Sequence, residues 1–128
     1  MNARWAQFGI AGVFIGLGSW ALFAPSSVIE LAISEPYRET TFLSRFIMAC
    51  FGAQAVLFGI MALAVRWTSR GFALFAALLL PFFWFNYHFH YVDPVLTSVG
   101  MLDFVGNATM LILALIGWRA AKREESVS

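Results

Sequence analysis

Apolar residues fill four long stretches of this chain, 6–24, 46–65, 72–92 and 99–118, and charged residues fall almost wholly between them. A hydrocarbon layer about 30 Å thick takes roughly 20 residues of helix to cross, so each stretch is long enough. Inside lipid the backbone has no water to bond, which makes such spans helical. The pattern predicts an all-α polytopic membrane protein, a four-transmembrane-helix antiparallel bundle with residues 1–128 forming a single domain. The first stretch follows a short basic start, as a signal peptide does. A cut after Ala24 would leave Leu22 where a small residue is wanted and Pro25 directly after it, so the stretch reads as a retained span.

The longest connection covers 25–43. Its "SSVIELAIS" places Ser27 three residues before Glu30, a capping-box spacing. Val28, Ile29, Ala32 and Ile33 would then face the acyl chains, giving a short interfacial helix that Pro36 ends. The connections at "RWTSRG" and "DPVLTS" are short, so consecutive spans are expected to pack as antiparallel neighbours. Gly12 and Gly16 form a GxxxG and Ala49 and Ala53 a weaker small-xxx-small pair; both fit close helix packing within one chain, or a homodimer face. The closing "RAAKREESVS" reads as a polar helix end that frays.

Composition sharpens the setting. The chain is 61% hydrophobic and 12% charged, where soluble domains carry about 25% charged residues. A net charge of +1 gives no footing for a nucleic-acid partner. Cys50 is the one cysteine, which excludes an intramolecular disulfide, a CxxC pair or a thiolate-rich metal site. In its apolar run it is expected to be a small buried hydrophobe. Arg4, Arg66, Arg70, Arg119, Lys122 and Arg123 all fall on one side of the four spans. The other side carries Glu30, Glu35, Glu39 and Asp93, with Arg38 and Arg45. By the positive-inside rule both termini are cytoplasmic, in a cell membrane (the inner membrane in a Gram-negative bacterium). Trp5, Trp67 and Trp118 would mark the inner interface and Tyr37, Tyr87 and Tyr91 the outer one.

Polar groups within the spans are the candidate chemistry, because an Asp or Arg at a helix centre costs about 2.5–3.5 kcal/mol on insertion scales. Asp103 and Asn107 stand one turn apart on one face of the fourth span. In "PFFWFNYHFHYVDP", helical spacing puts Asn86, His90 and Asp93 on one face and His88 nearly opposite. The two histidines therefore do not converge on a metal or haem unless that helix end unwinds. Pro81 is expected to bend the third span and widen the bundle at its outer end. Arg45, Asn86, His90, Asp103 and Asn107 share a depth, which predicts an outer-half polar pocket in which Arg45 pairs with Asp103. Gln54, on the far side of its helix, is expected to bond another helix. The same residues could equally serve as interhelical glue, and the aromatic block 82–89 as lipid and core contact.

"GIAGVFIGLGSWALFAP" and the later "FLSRFIMACFGAQAVLFGIMAL" resemble the DoxX-like group of small four-helix bacterial membrane proteins. Shared traits are a glycine-rich first span ending in proline and a second span of the form Arg…Gly…Gly. The likeness covers about residues 9–63. Some members are subunits of quinone-linked oxidoreductases, so the resemblance implies an accessory or quinone-adjacent role; it assigns no residue.

The reading that emerges is a small integral membrane protein that binds a hydrophobic ligand (lipid, isoprenoid or quinone) or serves as an accessory subunit of a membrane complex. Its partners would be membrane lipids, and membrane-complex subunits or further copies of itself. No covalent cofactor or metal motif is present. Arg45 and Asn107 would hold ligand oxygens, His90 would hydrogen-bond the ligand and Asp103 would orient it. The alternatives are an integral membrane enzyme using His90 with Asp103 or Asp93 for acid–base chemistry, and a small oligomeric transporter or channel.

Overall fold

The computed structural model describes residues 2–127. It holds five α-helices: α1 (Ala3–Phe23), α2 (Pro25–Ala32), α3 (Phe42–Ala64), α4 (Ser69–Tyr87) and α5 (Leu102–Val127). A 3-10 turn covers Glu35–Tyr37, and α4 runs on into a π-helical turn at His88–Val92. No strand occurs among the described residues beyond one isolated antiparallel bridge between Ile33 and Leu96. Four segments, Ala3–Phe23, Phe42–Ala64, Ser69–Val92 and Leu102–Val127, are long and apolar enough to cross a membrane.

Helix starts follow local chemistry. The Asn2 side chain accepts from Trp5 N at 3.0 Å and caps α1. Thr41 and Ser44 form a reciprocal capping box, which starts α3 four residues before its apolar run. Thr68 accepts from Gly71 N and caps α4. Each bond occupies a backbone N–H that the first helical turn leaves without a partner. The cap expected of Ser27 is absent. Proline at its first turn starts α2, two residues earlier than that cap, and Ser27 Oγ instead accepts from Trp20 Nε1 at 3.2 Å. The apolar side of α2 also turns inward, where Ile29 and Ala32 are buried.

Helices pack in the order α3, α1, α5, α4. The seam between α1 and α3 is the closest. A methyl group on Gly18 would meet Gly52 O and Val56 N at 2.9 Å, and one on Gly52 would strike the backbone of Leu22, Gly18 and Ala21. Gly59 lies against Ala11 O in the same way. Glycine is needed here for approach, not for an unusual dihedral. Gly12 and Gly16, by contrast, have open space around them, so the expected GxxxG contact is not the one formed. Along α5, Gly117 takes the face of Phe72, and Ala114, Ala120 and Ala121 join Ala3, Ala6 and Ile10 in the core.

The expected seam between the second and third spans does not form. α3 and α4 are joined by a short loop, yet their backbones do not pack closely, and each lies instead against α1 or α5. Aromatic side chains reach across, with Phe58 of α3 stacked on Phe75 of α4 at 6.2 Å and Trp67 of the connecting loop at 5.3 Å from both Phe72 and Phe75. Large apolar side chains, among them Leu57, Ile60, Leu74, Leu78, Ile112 and Leu115, cover the outside of the bundle. Cys50 is exposed on that outside instead of buried.

Most of the six basic residues assigned to one side meet at one end of the bundle. Arg4 donates to Leu63 O and Val65 O, and Arg66 pairs with Glu124 at 3.4 Å. Lys122 sits over the Trp118 ring. The tail is helical to Val127. Glu124 accepts from Ala3 N, while Glu125 accepts from Ser69 N at 2.9 Å and Ser69 Oγ at 2.7 Å, at the electropositive start of α4. Gln7, 1% exposed, completes this end. Its Nε2 donates to Ala62 O and Val65 O, and its Oε1 accepts from Trp67 N. One side chain thus satisfies the loose carbonyls at the end of α3 and the turn into α4.

Candidate functional site

The missing α3–α4 seam leaves space at the opposite end. One cavity of about 650 Å³ lies between α1, α2, α3, α4 and the 95–103 segment; a second of about 410 Å³ lies deeper among the four long helices. Leu17, Phe51, Phe82 and Asp103 line both. Phe82, Phe85 and Phe89, three and four residues apart, form an aromatic wall on α4 and its π-turn, facing Phe51 of α3. The block 82–89 therefore divides: this stripe borders the cavity, while Trp84 stacks on His88 and Tyr87 lies 5.6 Å from Tyr91.

Three of the five expected site residues come together. Asn86 and Asn107 are 2% and 4% exposed, in a setting where an unpaired amide is costly. Asn86 Nδ2 donates to Asp103 Oδ2 at 2.9 Å, and Asn107 Nδ2 donates to the same oxygen at 3.2 Å and to Asn86 Oδ1 at 2.9 Å. The i,i+4 step from Asp103 to Asn107 sets two of these groups on one face, and α4 brings the third across. Asp103 is thereby fixed by one oxygen, while Oδ1 accepts no bond from the described residues. Gly106, beside this network, is buried against Val13 and Leu17.

Arg45 and His90 do not join them. Arg45 is exposed and its guanidinium makes no hydrogen bond or ion pair among the described residues, so the Arg45–Asp103 bridge is absent; hydration at the helix start outweighs burial beside one carboxylate. His90 spends Nδ1 on Leu96 O at 3.0 Å and lines neither cavity. The π-turn is the cause. With Asp93 N bonded to His88 O, five residues back, the wider turn rotates the following side chains off the α-helical register. It also carries His88, expected to point away from Asp93, to within 2.8 Å of the Asp93 carboxylate. An acid–base pair of His90 with Asp103 is therefore not assembled. The two histidines stay apart, and no cluster of three or more potential metal ligands exists among the described residues.

The helix end is held by the loop after it. Leu96 N donates to Phe89 O, Ser34 N to Val95 O and Thr97 N to Ala32 O, and Thr97 Oγ1 donates to Leu31 O. Gly100 passes so close to Ala32 O that a side chain there would collide with it. Residues 95–100 thus roof the larger cavity and tie it to α2.

Sequence reasoning missed two polar groups. Gln54, expected to bond another helix, makes no side-chain hydrogen bond among the described residues and lines the deeper cavity with Asp103 and Asn107. Gln7 was legible only as an isolated amide in an apolar stretch; its partners are set by the α1–α3 approach.

No family model, curated protein or solved structure matches the chain.

Proposed function

We propose that the chain is an integral membrane protein, an antiparallel four-helix bundle with both termini cytoplasmic, that holds a hydrophobic ligand between α3 and α4. The apolar outer surface and the gathering of basic residues at one end support the placement. The observation that carries the ligand reading is the pair of cavities meeting at a fixed carboxylate. Sites for small molecules run to about 300–1,000 Å³ and combine apolar walls with a few placed polar groups. Here the walls are Phe51, Phe82, Phe85 and Phe89 and the polar group is Asp103, held by Asn86 and Asn107. A lipid, isoprenoid or quinone-derived molecule suits such walls. The likeness to DoxX-like proteins supports the related role of accessory subunit, with the ligand shared across a complex.

Native mass spectrometry of the full chain, released from gentle detergent, tests the reading. A bound amphiphile is expected, and Met48→Trp, which fills the larger cavity from α3, should remove it without lowering the unfolding midpoint. An empty protein, or equal retention in the filled variant, would overturn the proposal; stoichiometric protein partners would favour the subunit role.

A further inference from the structure

Charge in the two cavities is one-sided. Asp103 is the only charged side chain lining either of them, and neither arginine, lysine nor histidine contributes to their walls. The hydrogens of Asn107 Nδ2 are spent on Asn86 and Asp103, and Asn86 Nδ2 is directed at Asp103. What the site offers a charged ligand head is therefore a negative acceptor, Asp103 Oδ1, in a cavity also lined by Phe51, Phe82, Phe85 and Phe89. An acidic head would meet like charge with nothing to offset it. A ketone or ester head would meet an acceptor at Asp103 Oδ1 and find only neutral amide donors, the second Asn86 Nδ2 hydrogen and Gln54, elsewhere on the walls. A positive donor meets both requirements, since ring faces attract cations and the carboxylate gains the counter-charge that Arg45 does not supply.

Resting on the ligand-binding reading above, we infer that the occupant is a single-chain lipophilic amine, its ammonium on Asp103 Oδ1 and its hydrocarbon body between Phe51 and Phe82. Zwitterionic amine lipids fit poorly, because their phosphate would lie beside Asp103 with no basic group to receive it. Gln54, in the deeper cavity, is placed to meet a polar group further along the ligand.

The full chain in phosphatidylcholine nanodiscs can be titrated with dodecylamine, dodecanol and dodecanoate. Intrinsic tryptophan emission gives the readout, with Trp20→Phe identifying the signal of the cavity-lining Trp20. Concentrations are expressed as mole fraction in the bilayer, so that partitioning does not mimic binding. Dodecylamine should bind about tenfold more tightly than dodecanol, and dodecanoate more weakly than either. Asp103→Asn should bring amine and alcohol together, chiefly by weakening the amine, and phosphatidylethanolamine should not displace the amine. Equal binding of amine and acid overturns the inference on the native chain alone, whether or not the variant folds. So does a preference that survives Asp103→Asn. If dodecanol binds but no head is preferred, the cavity reading stands and the amine falls; if none of the three binds, both fall.

Discussion

α3 faces α1 and α4 in opposite ways. Against α1 it presents Gly52 and Gly59, the backbones nearly touch, and no space is left. Towards α4 it presents Phe51, Gln54 and Phe58, the backbones stay apart, and the gap holds two cavities. Both contacts use apolar residues in apolar surroundings, where the hydrophobic effect gives little drive to helix association and packing decides. Small side chains make a seam; large ones prop a cleft open. The same helix is thus anchored on one side and forms a wall on the other.

The sharpest way to break that contrast is Gly52→Val. Overpacking usually costs about 1–3 kcal/mol, and here the obstacle is backbone on three sides, so about 3 kcal/mol or more is expected from unfolding in mixed bicelles. A loss below about 1 kcal/mol would mean that the seam gives way. Next comes Gln7→Leu, which leaves Ala62 O and the Trp67 N–H without partners at the basic end, while Val65 O keeps Arg4; about 2 kcal/mol is expected by the same measurement. On the cleft side Asn107→Leu should cost about 1 kcal/mol, since interhelical hydrogen bonds in membranes average near 0.6 kcal/mol. Its clearer sign would be a Trp20 emission response to amine reduced towards that of Asp103→Asn. Smallest are Gly12→Ala and Gly16→Ala, expected within about 0.5 kcal/mol because their surroundings are empty. A loss of several kcal/mol there, growing with protein concentration, would reveal a second copy seated on α1.

How much of this could be read from the sequence depends on what each feature rests on. Helix number and the short α2 were legible, because length and apolar content settle them. Asp103, Asn86 and Asn107 were legible as a group, since regular helical spacing sets which residues share a face. That rule fails where the helix stops being regular: the π-turn at His88–Val92 moved His90 away and brought His88 to Asp93. Arg45 was misplaced for another reason. Equal depth does not make two side chains neighbours, and α3 turns Arg45 outward. Nor does a short loop make two helices neighbours, as α3 and α4 show. Which glycines would form the seam was equally hidden, for Gly12 and Gly16 have the better-known spacing and Gly18 and Gly52 the contact.

The bonds from Glu124 to Ala3 and from Glu125 to Ser69 join the last turn of α5 to the first turns of α1 and α4. Such a closure sets an order of assembly. As the chain leaves the ribosome, α1 and α3 can dock through their glycines while α5 is still unmade. The basic end stays unlatched until Glu124 and Glu125 have been made, so a product released before them would keep its glycine seam and lack the clasp.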